Sequence, residues 1–179
     1  MMSVASGMAL CGLRPVIYTI TPFTTTRCFE QIRVDACYHK APVIIVGTGS
    51  GLSYAELGPT HHSLEDIAIL RALPEMTLLA TGDCPELRAA LGAALKHDGR
   101  VYIRIGKKGE PNIHAGAPEL TIGKSINLRQ GSDVCLIGAG VMMSVVLEAA
   151  QLLGKRGISA RVESFHTIKP LDTEALADI

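Results

Sequence analysis

Short apolar runs rich in β-branched residues alternate along this chain with longer stretches of helical period. That alternation confines the chain to a parallel sheet wrapped by helices, because successive parallel strands need a crossover helix between them. Strands are predicted at Pro15 to Ile20, Pro42 to Val46, Met76 to Ala80, Val101 to Ile105, Val134 to Ile137 and Ile158 to Glu163. Helices are predicted at Ser3 to Leu10, Thr26 to Tyr38, Leu64 to Ala72, Pro85 to Lys96 and Met142 to Lys155. Asp83 stands where the fourth of these needs an N-cap, with Pro85 near its first turn. The fold class expected is α/β, a parallel doubly wound sheet followed by the start of a second α/β domain.

The rhythm breaks between Gly106 and Gly131, where glycines, two prolines and mixed charge read as a linker carrying a short strand. The expected organisation is a first domain over 1–115, a linker over 116–130 and a second domain over 131–179. One βαβ unit after the linker is too little to cover both faces of its own sheet, so the chain is expected to be a piece of a longer protein.

With 179 residues, 47% hydrophobic and 19% charged, the chain can bury a core. Seventeen basic residues balance seventeen acidic ones, so there is no global pull toward nucleic acid or an anionic membrane. Any phosphate site must be local. Cys11, Cys28, Cys37, Cys84 and Cys135 form no C-x-x-C pair, which points to reduced thiols in a cytoplasmic protein rather than to zinc or disulfide exchange. No apolar run reaches the roughly 20 residues that span a bilayer, and Met1 to Leu13 has no basic start of the kind a signal peptide carries.

Three segments at predicted strand ends carry polar groups suited to chemistry. The first, Gly47 to Asp66, is a long glycine-rich loop, GTGSGLSYAELGPTHHSLED, centred on a rigid Gly58-Pro59 turn and the pair His61-His62. Ligand sites of doubly wound sheets collect at such carboxyl ends. The alternative is a pair of solvent-exposed imidazoles. In the second, Thr21 to Arg27, Phe23 offers a stacking face and Arg27 a fork for phosphate or carboxylate. The alternative is a threonine-rich cap with Phe23 in the core and Arg27 paired to Glu30 or Glu56. The third, Arg104 to Gly109, places Lys107 and Lys108 in a glycine-flanked turn that suits a sugar phosphate or, equally, plain solvation.

A competing motif is Val134 to Val146, a strand followed by Gly138-x-Gly140-x-x-Met143 and a helix, with Glu163 ending the next strand. Its outline is that of a dinucleotide-binding turn, but the third glycine, which lets helix and strand pack closely, is replaced by Met143.

Taken in order, Ala5-Ser6-Gly7, a strand ending near Tyr18, Phe23 with Arg27-x-x-Glu30-Gln31, Gly58-Pro59-Thr60-His61, Leu73-Pro74-x-Met76, Asp83, and Asp98-Gly99-x-Val101-Tyr102-x-Arg104 form a pattern. The pattern resembles the pyrimidine-binding domain of transketolases and 1-deoxy-D-xylulose-5-phosphate synthases. The closing segment, including Lys169-Pro170-Leu171-Asp172, resembles the start of their carboxyl-terminal domain. The resemblance implies that thiamine diphosphate and Mg2+ are held through a G-D-G motif on a partner domain or subunit, and that this chain holds the aminopyrimidine and contributes no metal ligand. Phe23 would be the cofactor-binding aromatic, although its distance from Arg27 is one residue longer than in the synthases. His61 would be both catalytic and substrate-binding, contacting donor hydroxyls or carbonyl. Arg27, Glu56 and Lys107 would complete the substrate site, Lys107 standing where the synthases carry an arginine.

Two departures bear on function. Where the family carries aspartate before the glycine of the G-x-T-H turn, this chain has Leu57, with Glu56 one step earlier. The family's catalytic glutamate, which promotes the imino tautomer of the aminopyrimidine, would fall about three residues before Met1, and truncation is the expected reason. The implied activity is transfer of a two-carbon ketol unit between sugar phosphates, in a homodimer or a two-chain heterotetramer. Alternatives are a deoxyxylulose-phosphate synthase, a 2-oxo acid dehydrogenase beta subunit, or a non-catalytic scaffold that keeps the fold.

Overall fold

The computed structural model describes all residues, 1–179. Its first sheet is five-stranded, in the order β1 (Val16–Ile20), β2 (Ile44–Thr48), β4 (Arg100–Ile105), β3 (Met76–Ala80) and β8 (Thr167–Lys169). The first four strands are mutually parallel, and β8 runs antiparallel to β3. β2 and β3 are buried along their whole length, which is why both read as continuous apolar runs. Their residues divide between two faces. Ile45, Leu78 and Tyr102 join Ile17 against α1 (Met2–Leu10), Ile32 and Leu70, the last on α4 (Asp66–Arg71). Ile44, Val46, Leu79, Val101 and Ile103 face Ala90 and Ala94 on α5 (Cys84–Lys96). Helices therefore cover both faces, and the sheet is doubly wound as expected.

A second, three-stranded sheet has the order β5 (Ile126–Arg129), β7 (Ala160–Ser164), β6 (Val134–Gly138), with α6 (Met143–Gly154) linking the parallel pair β6 and β7. Met143, Ala150, Ala160 and Val162 form its core. β7 then leads straight into β8, which returns the chain to the first sheet.

Three local features depart from the sequence expectation. β8 was not predicted, because three residues, Thr-Ile-Lys, carry no periodicity to read. The segment Thr26–Tyr38 is not one α-helix. It runs as a 3-10 turn (Thr26–Cys28), a short α3 (Phe29–Gln31) and a π-wound stretch (Ile32–Tyr38), preceded by the short α2 (Thr21–Thr24). The hydroxyls of Thr24 and Thr25 donate to the carbonyl of Thr21, and that of Thr26 to Pro22, so side chains compete for the carbonyls that regular winding would use. Glycines at the Gly138 turn resolve differently from a dinucleotide fingerprint. Met143 is fully buried, with its sulfur 2.7 Å from where a Gly138 Cβ would sit. Glu163 is consumed by Arg161 at 2.7 Å and Asn127 at 2.9 Å.

Asp83 ties the start of α5 to the segment that connects the two sheets. One carboxylate oxygen caps α5 by accepting from Glu86 N, while the other accepts from the backbone N–H groups of Ile113 and His114, each at 2.8 Å. Burial works to raise its pKa, but these backbone donors and the His114 ring outweigh it and hold the carboxyl below its usual range. Close by, Ser164 donates to the buried Glu86 carboxyl at 3.1 Å, and the carbonyl of His166 accepts from Ala80 N at 2.7 Å. The His166 ring is buried with Nε2 unpartnered, and burial together with nearby His114 lowers its pKa from 6.5 to about 4.

A histidine buried neutral binds fewer protons folded than unfolded. Its contribution is therefore intact above pH 6.5 and is lost as the pH falls toward about 4. Glu86, whose pKa burial raises, acts in the opposite sense, so the comparison must be between variants. Urea titrations across that window are expected to show wild type losing up to about 3 kcal/mol relative to His166→Gln. Parallel curves for the two proteins would show that His166 does not titrate this way.

Candidate functional site

The carboxyl ends of β1, β2 and β4 lie side by side, with Gly47 near the end of β2 and Gly49 just past it, both buried. A Cβ on Gly47 would lie 2.8 Å from both the Thr21 and Tyr102 hydroxyls, so only glycine allows the chain to pass. Thr21 donates to the Thr48 carbonyl at 3.0 Å, which fixes α2, and with it Phe23, against the end of β2.

The loop that follows β2 closes on itself. Gly51 and Ser63 exchange backbone hydrogen bonds at 3.1 and 2.9 Å, and Gly58, at φ 74°, turns the chain back toward His61. The loop is anchored from below. Arg104 on β4 donates through Nη2 to the Ser63 carbonyl at 2.9 Å and through Nε to Asp66 at 2.8 Å. Tyr102 donates to the same Asp66 oxygen at 2.6 Å. The Tyr102 hydroxyl is held protonated by burial and by that carboxylate, which push its pKa well up. Arg104, read from sequence as part of a phosphate cluster, is thus committed to structure.

Five sequence-predicted residues converge above this anchor. The Arg27 guanidinium lies 4.0 Å over the centre of the Phe23 ring, and Phe23 meets His61 edge to face at 5.1 Å. Arg27 pairs with neither of the carboxylates expected as alternatives, since Glu30 binds Arg33 at 2.8 Å and Glu56 binds Lys107 at 3.1 Å. Backbone bonding and Lys107 together lower the pKa of Glu56. The histidine pair divides. His61 packs against Phe23 with Nδ1 2.9 Å from the Thr60 hydroxyl, whereas His62 is tied to the Ala55 carbonyl at 3.3 Å and lines the cavity beside Phe23 and Arg27.

Tyr54 was not singled out by sequence, yet it joins the two halves, 6.2 Å from the His61 ring and 4.6 Å from the Lys107 ammonium. The available signal was the one tyrosine in a loop of glycines, polar residues and scattered leucines. A row results in which two cations bracket an imidazole through two aromatic rings: Arg27, Phe23, His61, Tyr54, Lys107. Beside it lies a cavity of about 400 Å³ lined by Phe23, Arg27, Pro59, Thr60 and His62 among others. No three His, Cys, Asp or Glu residues gather where they could hold a metal ion, and no helix is long and apolar enough to cross a membrane.

The first domain is a doubly wound α/β unit whose polar and aromatic row lies at the carboxyl ends of its strands, where folds of this class hold their ligands. Residues 1–110 match the family described as transketolase, pyrimidine binding domain, and residues 123–179 match transketolase, C-terminal domain. The chain belongs to the transketolase family. It is 38% identical to the 6-deoxy-6-sulfo-D-fructose transketolase subunit of Clostridium sp. (strain MSTE9), over 98% of this chain and 55% of that protein. A 1-deoxy-D-xylulose-5-phosphate synthase of Synechococcus elongatus is 38% identical over 98% of this chain and 28% of its own. A solved structure described as a split gene transketolase, inactive beta4 tetramer, is 35% identical and superimposes with a TM-score of 0.90, covering 99% of this chain and 57% of that one. The chain therefore spans little more than half the length of the transketolase subunit it matches.

Asp66 is the test of how the crevice is held. Asp66→Ala leaves Arg104 and Tyr102 without their acceptor, at an expected cost of about 3 kcal/mol in urea unfolding. Hydrogen exchange should speed up for the loop amides between Gly51 and Ser63. Unchanged exchange there would place the loop's support elsewhere.

Proposed function

We propose that this chain supplies the aminopyrimidine and substrate side of a cytoplasmic, thiamine-diphosphate-dependent transketolase-like enzyme, which transfers a two-carbon ketol unit between sugar phosphates. The row from Arg27 to Lys107 carries this reading, because it sets an imidazole between two cations at the ligand end of a parallel sheet. Thiamine diphosphate, when bound, supplies the electron sink that carbon–carbon cleavage beside a carbonyl requires.

The residues present fit one part of that cofactor and not the other. Phe23 offers a flat face beside a cavity of about 400 Å³, ample for a single heteroaromatic ring. The exposed Arg27 lies on that ring and is the group that would give way. The donor set for Mg2+ and diphosphate does not fit this chain, so both are assigned to a diphosphate-binding domain or subunit. The expected assembly is a homodimer of a fused protein or a two-chain heterotetramer.

Within this reading, each side chain has a task. His61, engaged through Nδ1 by Thr60, is left with Nε2 to exchange a proton with a donor hydroxyl or carbonyl. Lys107 and Arg27 neutralise the substrate's phosphate and acidic groups, and Glu56 accepts from its hydroxyls in place of the family's aspartate. A second reading, a pyruvate-using synthase, draws on Arg27, whose guanidinium is free of carboxylates at the crevice mouth.

In a complex reconstituted with the diphosphate-binding partner, His61→Ala is expected to lower ketol transfer about a hundredfold or more with the fold intact. Undiminished transfer would favour the scaffold alternative. The same complex offered pyruvate or a ketose phosphate as donor separates the two enzymatic readings.

A further inference from the structure

Tyr54 stands at the junction of the site without any role given to it by the activity proposed above. Its ring is sunk into the loop floor: a Cβ on Gly49 would lie 2.1 Å from its Cε2, so the ring rests directly on bare backbone. Gly49 has φ 82°, a conformation that glycine holds without strain, so the seat and the residue that makes room for it are one. The Lys107 ammonium sits 4.6 Å from the centre of the ring, and the His61 ring lies tilted against it at 6.2 Å.

Lys107 needs such a support. It sits just past the end of β4, and lysine is a flexible stem with a point charge, lacking the planar fork that lets arginine hold its own geometry. Its other contact, Glu56, is 68% exposed at the side chain, and an ion pair that open to solvent fixes little. The aromatic face is the fixed partner of the two. An incoming anion can replace Glu56 on the ammonium while the ring keeps the ammonium in place.

We propose that Tyr54 is a positioning residue that holds Lys107 for the anionic end of the substrate, and so sets the preference for a phosphorylated or similarly charged sugar over a neutral one. The inference rests on the reading of the site as a ketol-transfer site for its catalytic consequence, and on the geometry alone for anion binding. Glu56 occupies the ammonium in the absence of substrate and is exchanged for the substrate's anion.

The test uses the cofactor-loaded complex with its partner chain and two variants, Tyr54→Leu, which fills the space without an aromatic face, and Tyr54→Phe, which keeps the face. A cation over an aromatic face contributes about 0.5 to 2 kcal/mol, so Tyr54→Leu should raise KM for an aldose phosphate about twofold to thirtyfold. The loss should fall on KM far more than on kcat, and should be much smaller for the same aldose without phosphate. Tyr54→Phe should restore the wild-type values. Inorganic phosphate binding, measured by calorimetry on the same complexes, should weaken in parallel. Equal losses for charged and neutral aldoses, or a Tyr54→Phe variant as impaired as Tyr54→Leu, would overturn the proposal. Weakened phosphate binding in the Tyr54→Leu complex, with a wild-type complex that transfers no ketol unit, would support the positioning role while sinking the proposed activity.

Discussion

One buried carboxylate, Asp66, links the core of this domain to its crevice. It is 1% exposed and receives both the phenol of Tyr102, which belongs to the core, and the guanidinium of Arg104, which reaches up to the loop. A buried ion pair repays its desolvation only when the remaining polar positions are satisfied and the geometry is good. Here Asp66 Oδ2 takes two donors at 2.6 and 2.8 Å and the arginine gives a further N–H to a loop carbonyl, while the buried Asp66 Oδ1 has no partner, so the condition is met at one oxygen only. The loop is thereby fastened to the sheet by β4, the strand that also delivers Lys107, so His61 and Lys107 are positioned from one piece of scaffold.

Much of the sheet was legible because buried parallel strands leave continuous apolar runs, and β3 occupies the predicted residues, Met76–Ala80. The crevice was legible in its motif residues, since the G-P-T-H turn and the lysine past β4 stand at strand ends. Tyr54 escaped because its role comes from tertiary approach to Gly49 and Lys107, which no local spacing encodes. Asp66 escaped for the opposite reason. An acidic residue opening a helix is ordinary in sequence, and carboxylates are rarely buried, so nothing marked this one as the anchor. β8 and the broken winding after Thr24 depend respectively on pairing with a distant strand and on hydroxyls competing for carbonyls.

The second sheet is held to the first by polar groups as much as by packing. Asp83 serves as a helix cap and as acceptor for two backbone amides of the connecting segment, and β8 completes the edge beside β3. A single carboxylate thus fixes where α5 begins and where the connection leaves the first sheet. The neighbouring imidazoles of His114 and His166 each leave Nε2 without a partner inside the protein, and burial together with His114 lowers the His166 pKa to about 4.

A chain with no net charge can still present a cationic site if its carboxylates are spent elsewhere. Around the crevice Asp66 is committed to Arg104, Glu30 to Arg33, and Glu56, on Lys107, is exposed, while Glu65 lines the cavity and accepts only from the Leu64 amide. Arg27 and Lys107 are left at the two ends of an aromatic row, each resting on a ring face and neither buried against a carboxylate. An aromatic face holds a cation without neutralising it, unlike a carboxylate, so the charge remains available to a third party. The row therefore holds two unneutralised positive charges on ring faces with the imidazole between them, Lys107 braced by Tyr54 and the exposed Arg27 free to leave the face of Phe23.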